Sequence, residues 1–556
     1  MNHRFISSAV VFAALTVAII TGLFSQEKRQ NPITVDNVAG AEKIIGLEFT
    51  QAKRDSMLDD LFDQLKNYEN LRKVSLPNGI PPAILFNPIP AGFQFEKAKK
   101  PFKMSPPGKV AMPKNIEDLA FYSVGQLAEL IRTRNVTSEQ LTRMYLERLK
   151  KYGRKLECVI TLTEDLALKQ AKRADAEIAR GKYRGPLHGI PYGAKDLLAV
   201  RCYKTTWGSV PYQDQVIDQD ATVIKLLEDA GAVLVAKLTM GELAWGDVWY
   251  GGMTRNPWNY NQGSSGSSAG SASATAAGLV AFSIGTETWG SIVSPSTRCG
   301  STGLRPTYGR VSRTGAMALS WSMDKIGPIC RTVEDCALVF NAIHGPDAKD
   351  QTLYDVPFNY NPKVDVGKLR IGYLKMEFDS ARVNKASNDS VLAVLRRLGA
   401  QLVPIELPKL PIGDLSIILR AEAAAAFDEL TRGGKDDLLV RQIKNAWPNA
   451  FRTARFIPAV EYIQANRVRY LVIQEMQKLM KEIDLYVAPS FGGDNLLLTN
   501  LTGHPCIVLP NGFSKEGTPT SISFIGQLFG EAKLLAVAKA YQDATDHHLK
   551  HPKLEE

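Results

Sequence analysis

Apolar residues change their spacing several times along the chain, and each change marks a segment. Met1 to Arg4 lead into an uncharged run from Phe5 to Gln26, closed by Glu27, Lys28 and Arg29. A signal-peptide core is about 7–15 residues long, so this run is nearer the length of a membrane span. Its position behind Arg4 predicts that residues 1–30 direct export, as a cleaved signal or as a retained anchor. The zone Gly22-Leu23-Phe24-Ser25 has no clean pair of small residues for cleavage. From Asp55 to Leu65 apolar residues recur at helical spacing. A Pro-rich stretch from Pro77 to Pro113 reads as an extended strap packed on the remainder. Residues 31–115 therefore form an accessory region.

From residue 116 the pattern becomes regular. Ser123-Val124-Gly125-Gln126 and Thr137-Ser138-Glu139-Gln140 are capping boxes, each opening an amphipathic helix, the second ending near Lys151. A strand is predicted over Val159–Leu162, a helix over Leu166–Arg180, and an apolar run among turn residues over Gly189–Val200. A helix follows over Ala221–Ala230 and a buried strand over Ala232–Ala236. Helices alternating with short apolar strands predict an α/β sheet with helices on its faces, spanning 116–556. No internal repeat is present.

Composition narrows the function classes. Apolar residues make up 45% and charged residues 22%, as in ordinary globular proteins. The formal charge of +10 is spread along the chain. Its one concentration, at Lys97, Lys99, Lys100, Lys103, Lys109 and Lys114, lies among prolines. It has neither a helical face nor a stacking platform, which argues against a nucleic-acid partner. Cys158, Cys202, Cys299, Cys330, Cys336 and Cys506 form no CxxC pair, and the seven histidines form no HExxH cluster, so no metal site is expected. A core this large needs no disulfides, although export leaves room for one.

The candidate chemistry sits in Gly263–Ser273, GSSGSSAGSAS, followed by strand-like Leu279–Ile284 and a second tight turn, Gly285-Thr286-Glu287-Thr288-Trp289-Gly290-Ser291. A flexible linker would join domains, whereas this stretch lies within continuous α/β patterning. Gly266–Gly270 fits GxSxG, but the nucleophile elbow needs an apolar strand ahead of it and Pro257–Gln262 is not one. Ser322–Lys325 fits SxxK, a pattern common by chance.

These motifs resemble the amidase-signature family over roughly residues 120–545. Leu187–Asp196, LHGIPYGAKD, is similar to its lysine motif, with His188 as a supporting residue. Ser265–Ser271 resembles its Gly/Ser loop and Gly285–Ser291 its nucleophile turn, with Ser267 and Ser291 separated by the family's interval of 24 residues. Gly300–Arg310, Asp324–Pro328, Arg331–Asp335 and Asn500–Pro505 continue the match in order. The resemblance implies a mixed, twisted β-sheet core covered by helices on both faces. It also implies Ser291 as nucleophile, Ser267 after a cis peptide bond as the bridging serine, and Lys195 as base. Backbone N–H groups of Thr288, Trp289, Gly290 and Ser291 would form the oxyanion hole. The implied activity is hydrolysis of a small linear or peptide-like amide through an acyl-enzyme, without a cofactor. Alternatives are the glutaminase subunit of a tRNA-dependent amidotransferase, which the hydrophobic N-terminus opposes, and an inactive membrane-tethered binding protein. Localisation is expected to be extracytoplasmic, with membrane association through residues 5–26. Trp289 and Val293 depart from the family's usual Gly and Arg, and the Trp289 indole is expected to project toward substrate.

Overall fold

A computed structural model of the chain describes residues 31–381 and 383–554. The run 5–26 lies outside them. Among the described residues no helix is long and apolar enough to cross a membrane. The chain divides into two compact units between Pro77 and Asn78.

The first unit contains the helices Val35–Ile45 and Gln51–Leu71. Thr34 and Asn37 close a capping box at the start of the first helix, and Gly46, at φ 70°, ends it. Arg54 reaches buried Glu42 at 2.7 Å and ties the two helices together. The second helix is longer at both ends than the Asp55–Leu65 pattern, because its flanking turns are polar yet good helix formers.

The second unit is built on an eleven-stranded mixed sheet. Its strands are β1 (Val159–Leu162), β2 (Pro191–Lys195), β3 (Val233–Leu238), β4 (Phe282–Glu287), β5 (Thr302–Arg305) and β6 (Lys325–Cys330). They continue as β7 (Arg370–Leu374), β8 (Gln401–Ile405), β9 (Leu485–Pro489), β10 (Cys506–Phe513) and β11 (Pro519–Gly526). The order across the sheet is β1-β3-β2-β4-β6-β5-β10-β11-β9-β7-β8. Strand β2 runs parallel to both β3 and β4, while β6 is antiparallel to β4 and β5. Every residue of β2, β3 and β6 is buried, as expected where helices cover both faces.

Local rules account for most boundaries. Ser123 with Gln126 and Thr137 with Gln140 form the two capping boxes, opening the helices Val124–Arg132 and Ser138–Tyr152. The helices Glu164–Ala179 and Thr222–Asp229 follow the predicted periodicity. One boundary differs. The run Leu279–Ile284 becomes a strand only at Phe282, because the helix Ala269–Ala276 first turns back through Gly278 at φ 65°.

The Pro-rich strap has no helix or strand from 78 to 113, and side chains fasten it along its length. Asn78 exchanges hydrogen bonds with the backbone of Ala318 at 2.7 and 2.8 Å. Phe86 meets the Tyr308 ring edge-on at 5.1 Å and lies 3.5 Å beneath the Arg469 guanidinium. Phe102 stacks on Tyr360 at 5.4 Å, and Ser105 N–H donates to Glu334. The strap thus belongs to the same compact unit as the sheet. The six cysteines are unpaired.

Candidate active site

Lys195 is the last residue of β2 and is wholly buried. Its Nζ lies 2.8 Å from Ser267 Oγ, 2.8 Å from Thr286 Oγ1, 3.2 Å from Ser268 Oγ and 3.5 Å from the Thr286 carbonyl. These partners are three hydroxyls and a carbonyl, with no carboxylate among them. Burial pulls the amine down to about 7, against the opposing pull of Asp324 and Glu287. The next residue, Asp196, is committed elsewhere. It faces Lys237 at 2.8 Å and accepts from Thr206 N–H and hydroxyl at 2.8 and 2.5 Å.

Ser267 is carried by the Gly/Ser loop, and the Gly266–Ser267 peptide bond is cis. Gly266 is required here because a β-carbon on it would lie 1.7 Å from the Gly246 carbonyl oxygen. Ser267 is almost fully buried, and its carbonyl accepts from Gly241 N–H at 3.2 Å. Ser268 caps the exchange between this loop and β4. Its hydroxyl accepts from Thr286 N–H at 3.1 Å and donates to the Thr286 carbonyl at 3.0 Å. This binds Ser268 into the wall of the site and leaves Ser267 as the hydroxyl at the end of the cis bond. The strand before the loop, Asn259–Gly263, is polar and half-exposed, unlike the apolar strand of a nucleophile elbow.

The turn that follows β4 brings Ser291 to the same place. Ser268 N–H donates to the Ser291 carbonyl at 3.1 Å, which joins the two loops directly. The turn passes through Gly290 at φ 87°, a conformation that favours glycine. Two carboxylates brace its ends. On the leading side, Asp324 accepts from Thr288 Oγ1 at 2.5 Å and from the N–H groups of Leu319 and Ser320 at 2.8 and 2.9 Å. Burial pushes its pKa up despite these bonds. On the trailing side, Glu287 accepts from Ile292 and Val293 N–H at 2.8 and 2.9 Å, at the start of the helix Val293–Cys299. Its other oxygen takes Arg305 at 2.7 Å and Asn500 at 2.9 Å. Burial would raise the Glu287 carboxyl, but Arg305, Val293 N–H and Asn500 together hold it at about 2.

Of the residues expected from sequence, Lys195, Ser267, Thr288, Trp289, Gly290 and Ser291 all fall within this one neighbourhood. His188 does not. It is buried on the loop before β2, accepting from Arg184 N–H at 3.1 Å and standing 3.3 Å from Glu177. Ser322 of the SxxK pattern donates to Glu422 at 2.7 Å and accepts from Arg469 at 2.8 Å, so it serves another network. The structure adds Ser268, Thr286, Glu287, Asp324, Arg305 and Asn500, to which sequence reasoning assigns no role. All six lie inside motifs already singled out, but the motifs alone do not say what each does: the pairing of Glu287 with Arg305 and Asn500 depends on strand order. Among the described residues no group of three or more His, Cys, Asp or Glu side chains could hold a metal ion.

A mixed sheet that sets a buried lysine against a serine after a cis bond, with a braced serine turn joined to the same loop through its backbone, defines a class of serine-and-lysine sites. The sequence model of the Amidase family matches residues 140–498, and the chain belongs to that family, the amidase-signature enzymes. The chain is 33% identical over 491 residues to the A-subunit of glutamyl-tRNA(Gln) amidotransferase from Moorella thermoacetica, covering 79% of this chain and 99% of that protein. The corresponding Acinetobacter baumannii protein is 35% identical over 484 residues, 78% of this chain and 98% of that one. Among solved structures, native peptide amidase from Stenotrophomonas maltophilia superposes with a TM-score of 0.71 at 30% identity, covering 79% of this chain and all of that one.

Proposed function

We propose that this chain hydrolyses a carboxamide, linear or peptide-like, through an acyl-enzyme on Ser291. The observation that carries the reading is Lys195, buried and drawn toward neutrality, 2.8 Å from Ser267 Oγ. A serine hydroxyl becomes an effective nucleophile only when a base takes its proton. Neutral Lys195 takes the proton of Ser267, and Ser267 takes that of Ser291 as its oxygen attacks the amide carbon. The negative charge on the tetrahedral oxygen is met by backbone N–H groups of Thr288 to Ser291. The proton returns through Ser267 to the leaving amine. Water then enters, gives its proton along the same path, and releases the acid from Ser291. No cofactor is used.

The test is labelling. Intact-protein mass spectrometry after treatment with a fluorophosphonate should show one adduct on the parent and none on Ser291→Ala. Equal labelling of both, or an adduct mapped to Ser268, would overturn the assignment, and an unlabelled parent would favour an inactive binding protein.

A second reading is supported by the relatives named as amidotransferase A-subunits, which the chain matches over 98–99% of their length. On that reading the amide is glutamine and the chain works beside other subunits. Assaying glutamine against peptide amides, aryl amides and alkyl amides with the isolated chain separates the two. Activity confined to glutamine would favour the amidotransferase reading. Sequence alone supports export through residues 5–26, and fractionation that leaves the full-length chain in the cytoplasm would reject it.

A further inference from the structure

Trp289 is out of keeping with its surroundings. Thr288 and Ser291 are 6% and 8% exposed, whereas Trp289, between them, is 45% exposed. An indole offers a large apolar surface, and proteins gain by covering it. Here, among the described residues, no aromatic ring stacks on it. The turn is braced on both sides of the indole, where Asp324 holds the Thr288 hydroxyl and Glu287 holds the N–H groups of Ile292 and Val293.

A second segment brings further apolar surface to the same turn. Leu496 Cδ2 lies 3.0 Å from where a β-carbon on Gly290 would sit, so this side chain packs directly on the turn. Five residues earlier, Phe491 is 56% exposed in the turn two residues beyond β9. Its neighbour Ser490 is held 2.7 Å from Ser521 Oγ, which is 2.7 Å from Thr297 Oγ1 in the helix that follows Ser291. These hydroxyl contacts tie Ser490, through Ser521, to the helix that follows Ser291. Its outer edge is acidic: Asp494 is exposed, and Glu377 lies against Gly492 and Gly493.

We propose that Trp289, Leu496 and Phe491 form an apolar shelf beside Ser291 that selects neutral acyl groups, aryl or unbranched alkyl, over branched or anionic ones. The proposal rests on Ser291 being the acylated residue. The acyl group is the part of the substrate that stays bonded to Ser291 through both halves of the reaction. A large flat apolar side chain two residues away offers contact area to flat or straight chains and leaves less room for branched ones. The Asp494 and Glu377 carboxylates repel an acyl chain that ends in its own carboxylate.

The test uses amides with one common chromogenic amine and four acyl groups, hexanoyl, benzoyl, pivaloyl and succinyl, hydrolysed by the full chain. The parent should prefer hexanoyl and benzoyl. In Trp289→Gly the ratio of kcat/KM for hexanoyl over pivaloyl should fall about tenfold, the scale on which an apolar pocket discriminates. Phe491→Ala and Leu496→Ala, outside the reacting groups, should move the ratio the same way by smaller factors. An unchanged ratio in all three variants of a chain that still takes the fluorophosphonate overturns the shelf alone. A parent that takes no label and cleaves none of the four overturns the amidase reading and the shelf with it.

Discussion

At the scale of single residues, the proposed mechanism requires Lys195 to reach neutral pH without its proton. Burial lowers it to about 7. The nearby acids could reverse that, but each is bound to something else: Asp196 to Lys237, Glu287 to Arg305, Asp324 to Thr288. A protonated amine cannot accept a proton, so the rate should rise as pH passes about 7 and level off on the alkaline side. A pH profile of kcat/KM for a slow amide should show this, and a rate flat across the neutral and alkaline range with chemistry rate-limiting would contradict it. Lys195→Ala should cost at least about 100- to 10,000-fold, the range for a general base. The local part of this site was legible in the sequence because Lys195, Ser267 and Ser291 each sit in a short motif that resembles one of the family's, in the same order and spacing. The cis bond expected before Ser267 is present.

At the scale of elements, the turn after β4 is held by residues from three other places in the chain. Glu287 and Arg305 are both fully buried. Breaking such a pair leaves an uncompensated buried charge, which costs about 3–5 kcal/mol. Glu287→Gln should therefore lower stability by roughly that amount and lower kcat with it, since Ile292 and Val293 lose a charged acceptor. Thermal denaturation and steady-state kinetics check both. Loss of less than about 1 kcal/mol, the scale of an exposed pair, would mean the pair is not sealed from water. None of this could be read from spacing. Which strand lies beside which is set by the crossings of the sheet. The sequence predicts helices and strands over 123–236 but says nothing of an order such as β6 between β4 and β5. Likewise the strand at Phe282 starts late because a helix turn intervenes, a tertiary effect that propensity does not carry.

At the scale of the whole molecule, the division falls at Pro77, well before residue 116 where regular patterning begins in the sequence. Residues 78–113 have no regular structure and so read as an accessory strap, yet their aromatic side chains are built into the larger unit. A chain beginning at Asn78 should fold and keep amidase activity. A chain beginning at Ile116 should not, because Tyr308, Tyr360 and Arg469 lose the rings and hydrogen bonds that cover them. Expression of both truncations, followed by gel filtration and probe labelling, tests this. Equal solubility and labelling would show that the strap is dispensable.

The strand order also bears on when the proposed site is completed during synthesis. Lys195, Ser267 and Ser291 have all been translated before residue 300. The brace on Glu287 waits for Asn500, and Arg305 waits for the His504 carbonyl at 3.1 Å. Strand β5 has no neighbour on its far side until β10 arrives at Cys506. Ribosomes add about 5–20 residues per second, and roughly 200 residues separate the last reactive group from the parts that hold it in place. A growing chain therefore carries Ser291 for about 10–40 seconds before the residues that brace its turn are made. On the proposed mechanism hydrolytic competence comes late in synthesis, and a chain truncated before residue 500 should lack it, since Glu287 would then have no Asn500.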